Sequence, residues 1–102
     1  SDFGHALGTA IDNGDVDLGV AFCGSGNGIS MTLNKHQKVR AALCWGTELA
    51  RLAKAHNNAN VLVMPARFIS YQMATTILNK WLSTEFEGGR HERRIEKIPL
   101  CK

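Results

Sequence analysis

Three short apolar runs, at 18–23, 40–44 and 60–64, alternate with stretches whose apolar residues recur at helical spacing, and that alternation leaves few folds open. Runs of this length read as strands. Strands separated by helices imply right-handed crossover connections and a parallel sheet covered on both faces. The expected fold is therefore α/β, a three-layer α/β/α sandwich with three parallel strands in this chain.

The helical segments are readable from spacing and caps. Phe3, Ala6, Leu7, Ala10 and Ile11 predict a helix over Asp2 to Asn13, with Gly14 as its C-cap. A second, short helix runs from Ile29 to about Lys35. Thr47 is the expected cap of a third, which continues through Leu49, Leu52 and Ala53 to His56. Pro65 ends the third strand. Ser70 then caps a long helix with Met73, Ile77, Leu78 and Trp81 on one face. Gly88 and Gly89 break that helix, and Arg90 to Ile98 forms a last helical piece.

At 102 residues the chain is one domain, spanning 1–102, with 88–102 as a C-terminal arm. An apolar content of 44% and a charged content of 21% are ordinary for a globular protein. No run is long enough for a membrane span, and no basic-then-apolar signal segment precedes the first helix, so the expectation is a cytoplasmic protein. Three widely spaced cysteines form neither a disulfide framework nor a zinc pattern. Cys44 is expected to be a buried small apolar residue, and Cys101 an incidental tail residue.

Ligands of parallel sheets bind beyond the carboxyl ends of the strands. Cys23, Trp45 and Pro65 with Arg67 fall there and share one edge. The first of these opens the run Cys23-Gly24-Ser25-Gly26-Asn27-Gly28. Its glycines permit positive φ and a close approach of backbone amides to a ligand. Those amides, with the helix that follows, suit an anion or a developing oxyanion. The spacing is neither the dinucleotide fingerprint nor a P-loop. On its own, the run is equally consistent with a tight strand-to-helix connection.

Other candidates lie further on. His56, in His56-Asn57-Asn58-Ala59-Asn60, reads first as a C-terminal helix cap and, as the alternative, as a group for acid–base chemistry near neutral pH. Arg67 follows the third strand as a ligand or a surface residue. Arg90 and Arg94 are four apart and share a helix face, so they can close on one phosphate, or form a solvated face with Glu92 and Glu96. The first 34 residues contain no Lys or Arg, yet a net charge of +3 is too small to argue for nucleic acid. It fits a local anion site. Trp45 and Trp81 are expected to pack, His36 to be a solvated loop residue, and His91 to support the arginine helix.

Taken together, five ordered blocks resemble the ribose/galactose isomerase family, type B ribose-5-phosphate isomerases in particular. They are Phe22 to Gly28, Leu33-Asn34-Lys35, Arg40 to Cys44, His56 to Leu62, and Ser83 to Arg94. The resemblance covers essentially the whole chain. It implies a Rossmann-like fold and an aldose–ketose isomerase of the pentose phosphate pathway, which interconverts ribose 5-phosphate and ribulose 5-phosphate through a cis-enediolate. No metal or organic cofactor is implied. Cys23 matches the family's cysteine base, and Ser25 is placed to assist it. The amides of Gly24, Ser25, Gly26, Asn27 and Gly28 would bind the enediolate oxygen. His56 matches the group that opens the sugar ring, Asn57 a residue that hydrogen-bonds the substrate, and Arg67, Arg90 and Arg94 the phosphate-binding arginines.

The resemblance also implies a homodimer with shared active sites, in which the histidine and some phosphate contacts face the cysteine of a partner, and dimers that can pair into tetramers. Membranes and nucleic acids are not expected partners. In the family an upstream strand–helix–strand unit carries an Asp-His pair of the substrate site. Asp2 and His5 do not match that pair, so the chain is expected to lack the unit, to turn over poorly alone, and to expose apolar surface and an unpaired sheet edge. Two alternatives remain. One is an isomerase of allose 6-phosphate or galactose 6-phosphate. The other is a non-catalytic module that binds phosphate or nucleic acid through the basic tail, although no aromatic residues interleave its charges.

Overall fold

The structure, a computed structural model that describes residues 2–100, follows the predicted alternation. In chain order the elements are α1 (Asp2–Asp12), β1 (Gly19–Cys23), α2 (Asn27–Leu33), β2 (Ala41–Leu43), α3 (Thr47–Asn57), β3 (Val61–Pro65), α4 (Tyr71–Ser83) and α5 (Arg90–Glu96). The strands form one parallel sheet in the order β1-β3-β2. Gly19 to Cys23 pair in register with Val61 to Pro65, and Ala41 to Leu43 with Val61 to Val63.

The central strand β3 is buried along its whole length, as a strand covered on both faces must be. Its alternate side chains enter two cores. Val61 and Val63 join Ile11, Ala21, Leu33 and Val39 on one side of the sheet. Leu62 and Met64 join Cys44, Ala50, Ile77 and Trp81 on the other. Helix α1 packs on α2 and α3 packs on α4, which completes the expected three layers. Cys44 is buried as expected, and burial pushes its thiol up to about 11, so it stays protonated and inert.

Trp81 is the largest fully buried side chain. The Lys54 ammonium lies 4.8 Å from its ring centroid, which adds a cation–π contact to the packing. Trp81→Ala is expected to cost about 3–5 kcal/mol, since it opens a large cavity beneath α4 that neighbours fill only in part. Urea denaturation checks this, and a loss below about 1 kcal/mol would contradict the packing described.

Four sequence expectations need correction. Thr47 does not cap α3: Gly46, in extended conformation, is the N-cap, and Thr47 is already helical. Trp45 does not pack; it leaves β2 at the sheet edge and stands 57% exposed. His36 is not merely solvated. Its Nε2 lies 2.9 Å from His5 Nδ1 and its Nδ1 3.4 Å from Asp12 Oδ2, and a Cβ on Gly8 would collide with its ring. The last helix stops at Glu96, short of Ile98. Ser70 does cap α4, its hydroxyl accepting from Met73 N at 3.0 Å. Cys101 lies outside the described residues.

Candidate active site

The predicted site residues fall into two groups. The first gathers at the carboxyl edge of the sheet. Cys23 is the last residue of β1 and is partly buried. Hydrogen bonding between β1 and β3 continues beyond the strands: Ala66 N donates to Cys23 O at 2.8 Å and Arg67 N to Gly24 O at 3.0 Å. This pairing carries the start of the β3–α4 connection alongside the glycine loop. The Arg67 side chain is exposed yet leans on Gly24, where a Cβ would stand 3.1 Å from Arg67 Nε. Gly24 therefore serves close approach, and Arg67 joins the cysteine end of the site.

Of the loop's three glycines, Gly26 alone takes positive φ, at 83°, and a Cβ there would collide with Leu43 Cδ1. Both constraints make it the residue that turns the chain from β1 into α2. Gly28 faces open space inside the first turn of α2. The Asn27 amide donates to Ser25 Oγ at 3.3 Å, so Ser25 orders the loop while its hydroxyl hydrogen remains available. Beside this loop Trp45, Pro65 and Phe68 line a small apolar cavity.

The second group lies at the other end of the sheet. Helix α3 starts beyond β2 and runs back for 11 residues, about 16 Å at 1.5 Å per residue, which delivers His56 and Asn57 to the amino edge. The turn into β3 is pinned by Arg40, whose N–H donates to Asn60 Oδ1 at 2.7 Å and whose Nε donates to Asn58 O at 3.0 Å. Asn58 caps α3 with φ 49°. The backbone amides of Asn58 and Ala59 take the Lys54 and Ala53 carbonyls at 3.1 and 3.0 Å. His56 is thus not needed as a cap.

Its imidazole instead meets two residues that spacing alone does not select. His56 Nε2 lies 3.5 Å from Glu87 Oε1, and His91 Nε2 lies 3.7 Å from the same oxygen. The two rings stack, with centroids 4.3 Å apart and an interplanar angle of 11°. His91 is buried, and its Nδ1 has no hydrogen-bond partner among the described residues. Burial lowers its pKa, and the charges of His56, Arg90 and Arg94 lower it further against the opposing pull of Glu87. These effects favour the neutral form of His91. Arg90 and Arg94 flank it on α5, four apart and exposed.

The ligand atoms of His56, Glu87 and His91 fall within 4.8 Å of one another, close enough to share a small cation. Stacked rings direct their in-plane lone pairs along parallel planes, so one ion would meet both nitrogens only after a ring had turned. The Cys23–Arg67 group and the His56–Arg94 group are separated by the length of β3, about 16 Å for its five residues. A third surface, an apolar groove lined by Phe22, Met64, Tyr71 and Leu78, lies beside the loop. Among the described residues the other edge of β1 carries no strand partner, and Phe22 is 53% exposed there.

Residues 1–98 match the family described as Ribose/Galactose Isomerase. The chain belongs to that family. Among its members, ribose-5-phosphate isomerase B of Escherichia coli is 40% identical over 89 residues, which cover 87% of this chain and 60% of that protein. A crystal structure of a ribose 5-phosphate isomerase from Thermotoga maritima superposes with a TM-score of 0.93 at 46% identity, covering 96% of this chain and 68% of that one. A Mycoplasma genitalium ribose-5-phosphate isomerase B with bound ribulose-5-phosphate superposes with a TM-score of 0.90 at 43% identity, covering 95% and 64%. The chain thus spans about three fifths of the length of the Escherichia coli relative. These family members share its Rossmann-like fold. No helix among the described residues is long and apolar enough to cross a membrane.

Proposed function

We propose that this chain supplies the catalytic residues of an aldose–ketose isomerase that interconverts ribose 5-phosphate and ribulose 5-phosphate. The observation that carries the proposal is the cysteine at the end of β1, beside a glycine loop and an arginine, in a chain of the ribose/galactose isomerase family. In this reading the Cys23 thiolate takes the proton from C2 of the open-chain aldose. The electrons move to O1 and leave a cis-enediolate. The amides of Gly24 to Gly28 and the Ser25 hydroxyl face its negative charge, a contribution of about 3–4 kcal/mol per well-placed donor. The proton returns at C1 while the O2 proton passes to O1, so C1 is reduced and C2 oxidised within one molecule.

His56 opens the ring beforehand, Asn57 bonds the substrate near the enediolate, and Arg67, Arg90 and Arg94 hold the phosphate. The two groups of side chains are about 16 Å apart within one chain, farther than a pentose phosphate reaches with both ends engaged. The reading therefore requires two copies, with the carboxyl edge of one facing the amino edge of the other, and such dimers can pair into tetramers. One domain with a C-terminal arm from residue 88 suits this arrangement, because α5 lies against α3 and carries Arg90 and Arg94 out with His56.

Turnover of ribose 5-phosphate, measured beside allose 6-phosphate, tests the proposal. It is run on the chain as it stands and on the chain completed with the first strand–helix–strand unit of a relative. Absence of ribulose 5-phosphate formation from both would refute it, and preference for the hexose would redirect it to a neighbouring substrate. Arg94→Ala should raise KM about tenfold or more with a smaller change in kcat, since it removes binding to a group that does not react. An unchanged KM would remove Arg94 from the phosphate site.

A further inference from the structure

We infer that Glu87 is a positioning residue that orients the His56 imidazole for opening the ring of a cyclic phosphosugar. The inference rests on the role proposed for His56. Glu87 lies in the non-helical segment between α4 and α5, and its backbone N–H donates to Ala55 O at 2.9 Å. That bond ties the residue to the last turn of α3, one position before His56. Its carboxylate oxygen then stands 3.5 Å from His56 Nε2. His91 covers one face of the same ring in a parallel stack and is buried beneath it. A carboxylate at one edge and a buried ring on one face limit how the His56 imidazole can turn.

The chemistry follows from which nitrogen is held. When the Nε2 that stands beside the carboxylate carries the proton, a neutral His56 has its lone pair on Nδ1. Ring opening moves one proton: the O1 hydroxyl of the hemiacetal loses it, the bond from C1 to the ring oxygen breaks, C1=O forms, and the former ring oxygen gains it. A single nitrogen of fixed direction can accept the proton and return it, so the step balances without a co-reactant. Other charges reach this corner. Glu48 on α3 is one, but it is bonded to Arg51 at 3.0 Å. Lys80 on α4 and Arg90 and Arg94 on α5 are cations. Among the described residues, Glu87 is the carboxylate that lies within ion-pair distance of His56.

The Glu87 side chain is 55% exposed, so its truncation disturbs little packing. The test compares, with the chain completed as above, turnover of ribose 5-phosphate and incorporation of solvent deuterium at C1 of ribulose 5-phosphate. Ribose 5-phosphate is mostly a closed furanose, whereas ribulose 5-phosphate, with O5 phosphorylated, has no hydroxyl that can close a five- or six-membered ring. Exchange at C1 passes only through the enediolate, so ring opening limits the turnover alone. Glu87→Ala is expected to lower kcat for ribose 5-phosphate by about tenfold or more, with KM little changed, and the exchange rate by less than about threefold. Glu87→Gln, which keeps an acceptor oxygen, should recover part of the loss. Equal losses in turnover and exchange, or wild-type turnover in Glu87→Ala, would overturn the inference. His56→Asn separates the two levels: a loss of turnover without exchange loss in His56→Asn but not in Glu87→Ala sinks the Glu87 role alone. A loss in His56→Asn that is absent, or equal in turnover and exchange, sinks the His56 reading, and the inference with it.

Discussion

Cys23→Ala in the chain completed with the unit of a relative is expected to lower isomerase turnover by about a thousandfold while phosphosugar binding stays within a few-fold of the unsubstituted protein. The separation follows from where the parts lie. In the proposed reading the thiol serves the C2 proton, whereas Arg67, Arg90 and Arg94 serve the phosphate. The change should not disturb the fold, because Cys23 is only partly buried at the end of its strand and alanine keeps the backbone bond from Ala66 N to Cys23 O. Isothermal titration with a non-reacting phosphosugar acid, beside a turnover assay, reads both quantities. Retained turnover would remove Cys23 from the chemistry. Loss of binding in parallel would assign it to substrate affinity instead.

The second large effect is a recovery. If each site takes Cys23 from one chain and His56 from another, homodimers of Cys23→Ala and homodimers of His56→Asn each carry two defective sites. Unfolding the two together in equal amounts and refolding them places both lesions in one site of a mixed dimer and leaves the other site intact. Mixed dimers make up half the population, so activity should return to about a quarter of wild type under two-fold symmetry. A mixture that stays at the level of its parents would show that the site does not cross the interface. The prediction draws on topology: α3 must run back across the sheet before β3 can start, so a residue in its last turn cannot stand beside a residue at the end of β1 in the same chain.

Much of this was legible before any coordinates. The alternation of strands and helices, the two-faced burial of β3 and the shared edge of Cys23 and Arg67 follow from hydrophobic period and from the parallel sheet it implies. The errors have a common physical form. Thr47 carries a capping side chain, yet the chain is already extended at Gly46, and local backbone conformation decided the cap. Trp45 is apolar, but a residue leaving a strand at the sheet edge has no helix above it. His36 meets His5 across 31 positions, a contact that no periodicity reports. Glu87 is the most instructive case. It reads as one more acid in a polar block, and its role depends on a single backbone bond to Ala55 made by the fold.

Strand β3 leads out of the turn that follows His56 and Asn57 and ends two residues before Arg67. In a dimer of the proposed kind it therefore acts as a strut between two different catalytic centres, one at each end. Its side chains are locked into cores on both faces, so the strut has no slack. A packing defect at Leu62 or Met64 would misplace groups in both centres together. Refolding with a partner variant could not rescue such a lesion, which distinguishes damage to the frame from damage to either half of the site.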